Sequence, residues 1–190
     1  MFFFLNLKDL KLSSPMISII TISLLSILSN NVKLNENPSV KNWSENGLKF
    51  EDFLAPPKSK SGIKGEFHTK ISWTIAEREG SVPIYKIYNQ MDRSKSWINK
   101  KHDELLKEYQ FTWDMAELYT RKIRKEIENF NKKKVVDKEQ YKTLITSYVS
   151  KYNKQRVRYE GTLYNQPDLY RIVNKQYQDS LKLYDKYALK

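Results

Sequence analysis

Residues 105–124 read Leu-Leu-Lys-Glu-Tyr-Gln-Phe-Thr-Trp-Asp-Met-Ala-Glu-Leu-Tyr-Thr-Arg-Lys-Ile-Arg. Leu105, Tyr109, Thr112, Ala116, Tyr119 and Ile123, continued by Ile127 and Phe130, recur at spacings of three and four. That period places them on one stripe of a long amphipathic helix, and the stripe is expected to face the core. The helix should start between Ser96 and Asp103. Asp103 and Glu104 lie early and Arg121, Lys122, Arg124 and Lys125 late, an order that complements the helix dipole. The run Asn-Lys-Lys-Lys at 131–134 closes it.

Working outward toward the N-terminus, residues 67–76 alternate, with Phe67, Ile71, Trp73 and Ile75 on one side and His68, Lys70, Ser72 and Thr74 on the other. Residues 82–89 form a second β-prone run, and the Gly-containing turn at 77–81 between them predicts an antiparallel hairpin. In residues 43–53, Leu48 and Phe50 alternate with charged neighbours, as in a half-buried strand, and Pro56 and Pro57 end it. Residues 55–65 read as a loop rich in Pro, Lys, Ser and Gly. Toward the C-terminus, Asp137-Lys138-Glu139-Gln140 reads as a capping box. Tyr141, Leu144, Ile145, Tyr148, Val149 and Tyr152 then follow at helical spacing. After a break at Gly161, Asn165 is expected to cap a further helix with Pro167 in its first turn and Val173, Tyr177, Leu181, Tyr184 and Ala188 on its face. The fold class expected is α+β: a small antiparallel sheet of two to three strands packed on a long central helix, followed by two C-terminal helices.

A chain of 190 residues with 39% hydrophobic and 29% charged residues suits one domain with a real core. That domain is expected over residues 43–190, after a linker at 32–42. Residues 1–31 read as a targeting segment, with Lys8 and Lys11 before an uncharged run of Ile, Leu, Ser and Thr at 16–28. The run is shorter than the ~20 residues of a membrane-spanning helix. Export to the periplasm or beyond is therefore expected, with an uncleaved anchor through residues 16–28 as the alternative and membrane contact through this segment alone.

The chain has no cysteine, so disulfides and thiolate chemistry are excluded, and its two histidines leave few members for a Ser-His-Asp site. Gly65 and Gly80 do not form a phosphate-binding loop. The net charge of +12 favours acidic partners, but the Lys residues are spread along the chain and no nucleic-acid motif accompanies them. The C-terminal tyrosines share the Leu, Ile and Val stripe and are read as core rather than as base-stacking residues. His68, on the polar side of its strand, and His102, three residues before Leu105, are read as surface or core residues rather than metal ligands.

The helix resembles the central helix of a bacterial family of predicted secreted zinc-dependent proteases, a domain of unknown function. There the segment reads approximately Leu-Leu-x-His-Glu-Gln-x-His-Phe-Asp-Ile-x-Glu-x-x-Ala-Arg. Leu105, Leu106, Gln110, Asp114, Met115, Glu117 and Arg121 fit that frame, while Trp113 replaces Phe and Thr120 replaces Ala. Trp43 with the Leu-x-Phe-x-Asp-Phe pattern at 48–53, and Ser96-Trp97, also resemble the family, so the likeness covers about residues 43–187. The reagents differ. Glu108 stands in place of the first His, Tyr109 in place of the Glu and Thr112 in place of the second His. In Tyr159-Glu160-Gly161-Thr162-Leu163-Tyr164, Tyr164 takes the place of a further His, a candidate zinc ligand in the family.

Two imidazoles four residues apart on a helix bind one zinc ion, and the adjacent Glu takes a proton from the metal-bound water. A Thr hydroxyl is a poor ligand, and a phenol titrating around pH 10 is no base at neutral pH. The resemblance therefore implies an exported pseudoenzyme without cofactor, a binding or structural module for an unknown protein or cell-envelope partner. Two alternatives stand beside it. One is an active zinc protease with ligands drawn from Glu108, Glu117, His102 or His68, although Glu117 lies nine residues from Glu108 and so about 180° around the helix. The other is a basic surface protein that binds anionic polymer.

Overall fold

The computed structural model describes residues 38–58, 62, 64–76, 80–99 and 102–189. The targeting segment expected at 1–31 lies outside them. Among the described residues no helix is long and apolar enough to cross a membrane.

The fold is α+β, as the sequence implies. Three strands, β1 (Val40–Asn42), β3 (Thr69–Ala76) and β4 (Ile84–Asp92), form an antiparallel sheet in the order β1-β4-β3. A separate ribbon pairs β2 (Gly65–Glu66) with β5 (Trp97–Ile98). The helices are α1 (Asp103–Lys132), α2 (Lys138–Tyr159), the single turn α3 (Thr162–Asn165) and α4 (Pro167–Leu183). The expected hairpin is β3-β4, in a register that pairs Ile71 with Asn89, Trp73 with Ile87 and Ile75 with Tyr85.

Helix α1 is central in a stronger sense than its stripe implies. Ala116, Ile123 and Ile127 are buried as expected, but so is every residue from 113 to 118. The sheet, α2 and α4 all pack on α1. Ile71 and Ile87 from the hairpin join Phe111, Met115, Ala116, Ile123, Tyr141, Ile145, Tyr152 and Val173 in one core. A second, smaller core gathers Leu48, Met91 and Trp113, with Trp43, Phe53, Phe67 and Tyr109 around it.

Several expectations are corrected. Residues 40–42, assigned to a linker, are β1, and Arg93 ties this segment down by donating to the carbonyl of Pro38 at 2.9 Å. Residues 43–53 form not a strand but an irregular segment with one 3₁₀ turn at Phe50–Asp52. Side chains serve its backbone there. The Leu48 N–H donates to Gln110 Oε1 at 2.6 Å and the Lys49 N–H to Asp52 Oδ2 at 2.8 Å. Backbone groups satisfied in this way need no neighbouring strand.

Trp73 and Ile75 share the face of Ile71 but remain 43% and 45% exposed, because β3 is an edge strand while α1 packs mainly on β4, where Ile87, the partner of Trp73, is 2% exposed. At α2 the Asp137 carboxylate accepts the Glu139 N–H at 2.9 Å, while Gln140 bonds that carboxylate rather than the backbone, so the cap is single and not a box. Asn165 ends α3 instead of capping α4, which starts after Gln166 with Pro167 in its first turn.

Candidate functional site

Successive helix residues turn by about 100°, so Glu108 and Thr112 share one face of α1 and Tyr109 lies beside them. Glu108 is buried. Its Oε1 accepts the Gly161 N–H at 2.5 Å, and no donor among the described residues reaches its buried Oε2. Gly161, with φ of +74°, forms the left-handed turn between α2 and α3 that presents this N–H to α1. Burial raises the Glu108 carboxyl above its ordinary value, the Gly161 N–H opposes the shift, and the charge of Glu160 adds to it.

The ring of Tyr109 leaves this place for an aromatic cluster, stacked on Phe67 at 5.1 Å and on Phe53 at 5.9 Å between centroids. Burial first, and the charge of Glu108 second, push its phenol still further above the usual range. Thr112 is half-buried. Tyr164, on α3, is 48% exposed, and its phenol is raised by burial and by the nearby Glu108 and Glu104. The structure thus brings Glu108 and the Tyr164 segment together, while the Tyr109 ring stacks on Phe53 and Phe67 with its phenol still within the electrostatic reach of both.

His68 and His102 lie apart from this cluster. His68 Nε2 sits 3.6 Å from Glu66 Oε2, and the His102 carbonyl accepts the N–H groups of Leu105 and Leu106 at the start of α1. Zinc, which the alternative reading of an active protease requires, does not fit the donors at the motif positions: one carboxylate with an oxygen already engaged, a phenol inside an aromatic stack, and a hydroxyl. Among the described residues no three His, Cys, Asp or Glu side chains gather to hold a metal ion.

The opposite face of α1 carries the buried polar groups. Gln110 is two residues, about 200°, from Glu108, and Arg121 nine residues, about 180°, from Thr112. Asp114 Oδ1 accepts from Trp43 Nε1 at 2.8 Å and Gln110 Nε2 at 2.6 Å, and its Oδ2 accepts from Gln178 Nε2 at 2.7 Å. One carboxylate therefore fastens the N-terminal segment, α1 and α4. Glu117 Oε1 accepts from Arg121 Nε and Arg124 Nη1, both at 3.1 Å. Burial raises both carboxyls, while their hydrogen-bonding partners and the neighbouring arginines oppose the shift. Arg121 and Arg124, expected near the helix end as complements to its dipole, instead lie in this network. Arg124 also donates to the Ile87 carbonyl at 2.8 Å from Nη2 and to the Tyr187 carbonyl at 2.8 Å from Nη1.

A groove of about 830 Å³ opens beside this network, walled by the segment from Trp43 to Leu48, by α1, and by the C-terminal end of α4. Arg121, 2% exposed, is among its lining residues. Its Nη1 donates to the Leu181 carbonyl at 2.8 Å, the Trp43 ring lies 4.9 Å from its Cζ, and its Nη2 is buried without a partner among the described residues. The sequence reading passed over this face. Its one signal is the spacing of Gln110, Asp114, Glu117 and Arg121, a polar stripe at helical period that reads as a solvated face until α4 and Trp43 are seen to cover it.

The chain was compared with models of protein families, with curated proteins and with solved structures. None of them matches it. The likeness to the secreted zinc-protease family therefore rests on the residues quoted for it.

Proposed function

We propose that this protein is an exported, non-catalytic relative of secreted zinc-dependent proteases, acting as a binding module. The observation that carries the reading is the hydrogen bond from the Gly161 N–H to Glu108. It joins two segments, 53 residues apart, that align with separate ligand positions of the family. In an active relative an imidazole on each segment would meet at this spot, whereas here a carboxylate holds a backbone N–H and a tyrosine stands beside it. The frame residues that fit the family also have structural work in this chain: Gln110 and Asp114 bind the N-terminal segment, and Glu117 holds Arg121. A scaffold retained with its reagents replaced is the pattern expected of a pseudoenzyme.

The test is zinc content and caseinolysis of the purified full-length chain. We expect well under one zinc per chain after dialysis and no chelator-sensitive cleavage. Stoichiometric zinc with chelator-sensitive cleavage would overturn the reading in favour of an active enzyme.

A further inference from the structure

In the sheet order β1-β4-β3, strand β3 is paired on one side only among the described residues. The Asp92 N–H donates to the His68 carbonyl at 2.8 Å, and the Trp43 N–H to the Asn89 carbonyl at 2.9 Å. Even-numbered residues of β4 therefore bond toward β3 and odd-numbered ones toward β1. In the β3-β4 register the backbone groups of Ile71, Trp73 and Ile75 then point away from β4. The eight residues of β3 hold no Pro, Gly or bulge, and Lys70 is their one charge. Few of the devices that blunt a sheet edge are present, so the free backbone groups can template a further strand.

The sequence of β3 is its own complement. Ile71-Ser72-Trp73-Thr74-Ile75 reads almost the same in both directions. Two copies set antiparallel about Trp73 place Ile71 opposite Ile75, Ser72 opposite Thr74 and Trp73 opposite Trp73, while Lys70 meets Ala76 and not another cation. Aromatic, aliphatic and hydroxyl pairs of this kind stabilise neighbouring strands. This register also makes Ile71, Trp73 and Ile75, whose backbone groups face outward, the hydrogen-bonded pairs of the new ladder. Trp73 and Ile75 are 43% and 45% exposed in the single chain, and α1 packs mainly on β4, which leaves their face of β3 open to such a neighbour. We propose that β3 pairs with β3 of a second copy across a twofold axis through Trp73, joining two three-stranded sheets into one. The pairing uses no residue of the Glu108 cluster and does not depend on the pseudoenzyme reading.

The experiment is sedimentation velocity of the full chain from about 1 to about 200 μM, since two short strands fall below the ~800 Å² per partner of a standard interface. We expect monomer at the low end and dimer at the high end, with added salt favouring the dimer because it screens the +12 charge of each chain. Trp73→Lys sets two cations against each other on the axis and should abolish the dimer while the melting temperature holds. Ile84→Lys should leave it intact, because Ile84 is 60% exposed but lies on the other face of the hairpin. The chain has no cysteine, so register can be read by cross-linking. Ser72→Cys mixed with Thr74→Cys should join under mild oxidation, the Cα atoms of such a non-hydrogen-bonded pair being ~4.5 Å apart. Either variant alone should join far less, because like residues then sit ~7–8 Å apart on the diagonal. A chain that stays monomeric at the highest concentration would overturn the pairing and leave the edge to a strand of another protein. Association that survives Trp73→Lys, that is lost equally in Ile84→Lys, or that cross-links equally in all three cysteine samples would overturn it as well.

Discussion

Glu108 is a buried carboxylate with one oxygen served and the other without a donor, which makes it a source of pH dependence. Its carboxyl is raised in the fold, so the folded chain holds this proton more tightly than the unfolded chain does. Stability therefore grows as pH falls from neutral through the raised value, and the gain is complete once the unfolded carboxyl is also protonated. Glu108→Gln keeps an oxygen for the Gly161 N–H and removes the charge. We expect it to stabilise the protein at pH 7 by about 1 kcal/mol, with the difference vanishing below the usual carboxylate range, as read from urea melts across pH. At Arg121 the sign is reversed. Arg121→Ala strips Glu117 of one of its two cations in a buried place, and a loss of roughly 3–5 kcal/mol is expected in the same melts.

The helices and the hairpin were legible in the sequence because their signals are local. A period of three and four residues marked α1, α2 and α4, and alternation marked β3-β4. What the sequence hid depended on distant partners. Residues 43–53 alternate like a strand, yet Gln110 and Asp52 take the N–H groups of Leu48 and Lys49, and nothing near Leu48 announces a glutamine 62 residues away. The alternation of β3 gave the right face for Trp73 and Ile75 but not their exposure, which follows from the place of β3 at the sheet edge, away from α1. The motif positions were placed correctly on one helix, but the departure of Tyr109 into the Phe53 and Phe67 stack needed the N-terminal segment to be in place. At the turn before α3, Gly161→Ala forces a side chain into φ of +74°, 3.2 Å from Asn165 Nδ2. It should cost roughly 1–2 kcal/mol and weaken the hold on Glu108, visible as faster amide exchange at position 161.

At the scale of the molecule, residues 38–190 form one compact unit. Compared with a chain starting at Pro38, one starting at Trp43 removes β1, bares an edge of β4 and deprives Arg93 of the Pro38 carbonyl. We expect that longer truncation to lower the melting temperature by several degrees, as a loss of about 1 kcal/mol does in a domain of this size. The central claim is that α1 and the turn at Gly161 still hold the frame of a metal site without its ligands. The most direct measurement is zinc titration of the folded triple variant Glu108→His, Thr112→His, Tyr164→His, beside the unmodified chain. The account predicts one zinc per chain, bound at micromolar concentration or tighter. A folded variant with no more affinity for zinc than the unmodified protein would contradict it.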